Sequence, residues 1–97
     1  MTTIEALRSS VSAVAPPDDL GPALQALWWL RKGDWDQAHK CVQSHEDDPN
    51  CNWVHAHLHR QEGDMANANG WYRRAGRPVA TCSVQEEWEQ VATELLR

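Results

Sequence analysis

The sequence predicts an all-α fold, and three observations carry that expectation. Helix start and stop signals recur along the 97 residues, apolar side chains between them repeat every three to four positions, and no segment alternates polar and β-branched residues. The first helix, expected over 2–15, opens on Thr2 with Glu5 three positions on, a capping-box pairing. It carries Ile4, Leu7, Val11 and Val14 on one face and meets Pro16-Pro17, which stop it. A second helix starts at Pro22, suited to a first helical position, shows Leu24, Leu27 and Trp28, and ends at Gly33.

The third helix is capped by Asp34 with Gln37 three positions on, and its inner stripe is Trp35, Ala38, Val42 and His45. Asp48-Pro49 restarts the chain into a fourth helix that runs to Gly63. Asp64 then caps a fifth with the stripe Met65, Ala68, Tyr72 and Ala75, closed by Gly76 and Pro78. Ser83 with Glu86 caps a last helix over 83–97 that presents Val84, Trp88, Val91 and Leu95. The fourth helix holds WVHAHLHRQ, whose three alternate histidines would share one face only on a strand. At about 100° per residue His55 and His59 fall together, and His57 turns away from them.

Two Gly-Asp corners reveal a repeat. RKGDWDQA (31–38) and RQEGDMANA (60–68) place Gly33 and Gly63 thirty positions apart, and the stripes superpose: Trp35 on Met65, Ala38 on Ala68, Val42 on Tyr72, His45 on Ala75. The expected architecture is therefore two antiparallel helix hairpins, 20–47 and 48–77, flanked by amino- and carboxyl-terminal capping helices in a single domain, 1–97.

Composition narrows the function classes. A net charge of −5, with no basic run longer than Arg73-Arg74, lacks the positive field of a nucleic-acid or anionic-membrane binder. The three arginines of WYRRAGRP (71–78) fit a helix carboxyl end, where cations are favourable. The apolar patch ALWWL (26–30) is too short to cross a bilayer. Three cysteines, an odd number, and an amino terminus without a long apolar segment point to a reducing, cytoplasmic setting. Six Trp in place of any Phe bring six indole N–H groups that want partners when buried.

The residues around the two corners resemble the tetratricopeptide repeat. Gly-Asp followed by an aromatic or Met, with Ala38 and Val42 or with Ala68, Tyr72 and Ala75, looks like the second half of such a repeat. Ala26 and Trp29 fit the small and aromatic positions of its first helix. The likeness covers about 20–78 and departs from the family in its thirty-residue spacing, against roughly thirty-four, and in His59 where an aromatic is usual. The string HAHLHRQEGDMANANGWYRRAGRP (55–78) is also similar to a group of small, uncharacterised bacterial proteins sharing an HAxLHRxEGDxxNAxxWYxRAG core, a resemblance that implies a fold and no reaction.

Two sites follow as expectations. In the repeat family the first helix of each hairpin lines the concave side, so the resemblance places Trp53, His57, Arg60, Gln61 and Arg31 in a groove for a protein or peptide partner, or for a second copy of the chain. Trp and Arg are frequent anchors of such surfaces. The alternative is a zinc-type site of one cysteine and three histidines: Cys41 and His45 lie four apart on the third helix, His55 and His59 four apart on its antiparallel neighbour. A catalytic arrangement of His59 as base with Glu62 or Asp64, and Asn67 nearby, is outweighed by Asp64 as a helix cap, so the sequence leans against an enzyme and assigns no catalytic residue, with a metal-dependent enzyme as the alternative should the Cys/His set hold zinc.

Overall fold

A computed structural model describes residues 3–97 and, among them, six helices and no strand: α1 Ile4–Ser10, α2 Pro22–Lys32, α3 Trp35–Gln43, α4 Pro49–Gln61, α5 Met65–Ala75 and α6 Val84–Leu95. The all-helical expectation holds. No helix among the described residues is long and apolar enough to cross a membrane.

The two hairpins, α2–α3 and α4–α5, are turned by the same hydrogen bonds. Gly33 N–H donates to Leu30 O at 3.1 Å and Gly63 N–H to Arg60 O at 3.0 Å; Asp34 N–H reaches Trp29 O at 2.9 Å and Asp64 N–H reaches His59 O at 3.0 Å. Each aspartate then accepts from the third residue of the next helix, Asp34 from Gln37 at 3.1 Å and Asp64 from Asn67 at 3.2 Å. Both glycines sit at positive φ, 94° and 86°, where a Cβ is strained, which is why the corner is written with Gly twice. The thirty-residue repeat is thus a repeat of backbone chemistry.

Three local expectations change. Thr2 lies outside the described residues, and the α1 N-cap is Thr3, whose hydroxyl accepts from Ala6 N–H at 3.1 Å. That helix stops at Ser10, well short of Pro16. Ser10 and Ser12 turn their hydroxyls back onto the carbonyls of Leu7 and Ser9, Lys32 donates to the carbonyls of Val11 and Ala13, and Val14 is 89% exposed. Met65 and His45 leave the inner stripe as well. Met65 is 40% exposed at the start of α5, and His45 lies in the turn beyond the end of α3.

Helix α2 packs on α3, α4 on α5, and α3 on α4; α6 then lies against α1, α2 and α4. It closes the main core, where Leu7, Leu27, Trp28, Val42, Val54, Leu58 and Val91 are fully buried. A smaller cluster of Ala56, Ala68 and Tyr72 joins the second hairpin, the two alanines letting α4 and α5 approach closely. Buried indoles find partners: Trp28 donates to Ser10 Oγ at 2.9 Å, and Trp88 of α6 donates to Leu27 O at 2.8 Å. Ser83 and Glu86 form the expected capping box at the start of α6.

Candidate functional site

Helix α6 covers part of the face expected to be a groove, and beside it Trp53 still lines a cleft with Arg77, Cys82, Glu87 and Gln90. His57 and Glu87 are 1% and 2% exposed; His57 Nδ1 donates to Glu87 Oε1 at 2.8 Å, and Arg60 Nη1 donates to the same oxygen at 2.9 Å. Tyr72 donates its hydroxyl to Glu87 Oε2, and Arg60 also reaches the carbonyl of Cys82. Burial alone would raise the Glu87 carboxyl, but the hydrogen bonds from His57, Tyr72 and Arg60 outweigh it and hold it below its ordinary range. Of the other groove residues, Trp53 is half-buried beneath the Arg77 guanidinium, 3.9 Å from its ring. Arg31 is exposed, 4.9 Å from the Trp88 ring, and Gln61 is exposed at the end of α4. His57 and Arg60 thus lie inside the fold, because the buried carboxylate of α6 needs their donors.

On the opposite side of α4, His55 and His59 stack with ring centroids 5.0 Å apart, as their four-residue spacing demands. The third member is His39 from α3, whose Nε2 lies 3.1 Å from His55 Nε2. One ligating nitrogen from each of the three rings falls within 4.8 Å of the others. Neither Cys41 nor His45 joins them, so the expected Cys/His set is replaced by three histidines. Cys41 packs against the main core instead, and burial pushes its thiol up, away from the thiolate a metal needs.

Aromatic rings hold the cluster in place. Trp35 stacks on His39 at 5.0 Å and donates its own N–H to Leu58 O at 2.9 Å, while Trp71 of α5 stacks on His55 at 3.8 Å. His59 Nδ1 donates to Glu62 Oε1 at 2.7 Å, which fixes its proton there and leaves Nε2 as a lone pair facing Asn67 Nδ2 at 3.4 Å. Burial, then the neighbouring rings of His59 and His39 and the charge of Arg74, lower His55 to about 3, so it is a neutral imidazole at ordinary pH. Burial, then His59, lowers His39 too, with Glu62 and Asp36 opposing the shift. His55 Nδ1 is buried with no hydrogen-bond partner.

The cluster borders a cleft whose other walls are Gln43, Glu46, Asn67 and Trp71. His59, Glu62 and Asp64 also gather within ligand distance of one another, but Asp64 spends its carboxylate on the α5 cap and Glu62 on the His59 ring. Sequence reasoning missed His39, Trp71 and Glu87, and read Tyr72 only as part of the buried stripe of α5. Comparison of the chain with protein-family models, curated proteins and solved structures finds no match.

Proposed function

We propose that this protein binds a divalent transition metal of the zinc type through His39, His55 and His59. The observation that carries the reading is the 3.1 Å approach of His39 Nε2 to His55 Nε2, in a cluster where one ligating nitrogen from each of the three rings lies within 4.8 Å of the others. Two imidazole nitrogens on a tetrahedral zinc at 2.0–2.1 Å stand about 3.3 Å apart. The His39–His55 pair is therefore close to ligating distance already. Lowered proton affinity at His39 and His55 disfavours the imidazolium form of both rings, the form that competes with a metal. Glu62 behind His59 supplies the carboxylate–histidine pairing that orients a metal ligand.

The test is metal titration of protein prepared without a histidine tag, followed by elemental analysis. One equivalent of zinc is expected, lost in His39→Ala and retained in Cys41→Ser. Zinc binding that survives His39→Ala, or depends on Cys41, would refute the assignment. Docking of a protein or peptide partner in the groove around Trp53, His57 and Arg60 ranks below this reading, since Glu87 of α6 already engages the His57 and Arg60 side chains.

A further inference from the structure

We infer that the metal bound by His39, His55 and His59 keeps a fourth coordination position open to the cleft, and that this position takes the carboxylate of a small molecule selected by Arg74. The inference rests on the metal reading above and assigns the ligand class of that site. Among the described residues no fourth cysteine, histidine or carboxylate joins the three nitrogens. Three protein ligands facing a cleft are the arrangement in which zinc holds water or an exchangeable group, whereas closed structural sites use four.

Asn67 in the cleft wall, and Arg74 behind Trp71 and Glu46 of that wall, decide the ligand. Asn67 Nδ2 points at the His59 Nε2 lone pair from 3.4 Å. Once a metal occupies that lone pair, the amide N–H needs another acceptor, which an oxygen atom bound to the metal would supply. Arg74 sits with its guanidinium carbon 5.0 Å from the Trp71 ring, the same indole that stacks on His55, and donates to Glu46 Oε1 at 2.9 Å. Both partners of that pair are 53% exposed, so it contributes little and exchanges readily. A guanidinium matches the plane of a carboxylate, and the neighbouring Glu46 disfavours ligands of higher negative charge such as phosphate. A monocarboxylate is the ligand class that the metal, the Asn67 amide and the Arg74 guanidinium would share.

The experiment uses the full chain loaded with cobalt(II), whose visible spectrum reports coordination, titrated with acetate and separately with neutral imidazole. Both ligands should change the spectrum of the wild-type protein. Arg74→Gln should weaken acetate about tenfold and Glu46→Gln should strengthen it about threefold, with cobalt content and imidazole affinity unchanged in both. Absence of any protein-bound cobalt spectrum would overturn the metal reading and this inference with it. A cobalt spectrum unmoved by either ligand would overturn the open position while leaving the metal site standing. Equal acetate affinity in wild type and Arg74→Gln would overturn the assignment of Arg74.

Discussion

Glu87 on α6 and His57 on α4 meet at 2.8 Å where neither touches solvent, thirty positions apart in the chain. Their hydrogen bond ties the last helix to the first helix of the second hairpin. Arg60 and Tyr72 complete the shell around the carboxylate, so every donor aimed at it comes from the hairpin that α6 covers. Removing one member of such a buried set is costly, because the partners left behind stay out of water without a mate.

Glu87→Ala is therefore expected to lower stability by about 3–5 kcal/mol. In a domain of this size that corresponds to a fall in Tm of about 12 °C or more. Glu87→Gln, which keeps the volume and one acceptor, should lose less. Urea or thermal unfolding followed by circular dichroism measures both, and a loss under about 1 kcal/mol for the alanine variant would contradict the clasp.

Acid should weaken the fold in two steps. The unfolded chain takes up a proton on His55 near its ordinary pKa of 6.5, while the folded chain holds that ring neutral down to about 3. Stability is thus lost as pH falls from 6.5, on the order of 3 kcal/mol by pH 4.5 from His55 alone. Glu87, depressed in the folded state, contributes stability that is present above the ordinary carboxyl pKa and disappears as pH falls through its lowered value. Urea midpoints measured at pH 6.5 and 4.5 check the first step: the decline should shrink in His55→Gln, and an equal decline in both proteins would sink it.

What was legible in the sequence is what local chemistry decides. The Gly33-Asp34 and Gly63-Asp64 corners, the Asp48-Pro49 start and the Ser83–Glu86 cap each depend on atoms within a few residues, and each is formed as read. The separation of His57 from His55 and His59 follows from helical pitch alone. The three-histidine cluster needed one further quantity, the register of α3 against α4. Antiparallel helices set residues at equal distances from their connecting turn opposite one another, so a turn at 44–48 carries His39, and not His45, toward the middle of α4. Glu87 was hidden for a related reason. A glutamate between Glu86 and Trp88 looks like solvated helix surface until the donors of another helix are known to face it.

If Glu62 orients the His59 ring for a metal, Glu62→Gln should weaken zinc binding by roughly 10- to 100-fold. The metal-free protein should melt almost as before, since Glu62 is 39% exposed and its pair with His59 closes only the last turn of α4. Competition against a chromophoric zinc chelator reads the affinity directly. Unchanged zinc affinity in Glu62→Gln would remove the orienting role.

The final prediction concerns α6 as a whole. A chain ending at Pro78 loses Trp88, whose N–H is held by Leu27 O at 2.8 Å, together with the fully buried Val91 and Ala92 and the Glu87 clasp. Apolar burial alone removes about 1.5–3 kcal/mol for each large side chain. The cut also opens the core over Leu27 and Trp28 and strands the donors of His57, Arg60 and Tyr72. For a domain whose whole stability is about 5–15 kcal/mol, these losses together are enough to abolish cooperative unfolding. The truncated chain is therefore expected to show a broad, non-cooperative thermal trace by circular dichroism. A sharp transition near the full-length midpoint would mean that the two hairpins close a core of their own, and that α6 covers them without holding them.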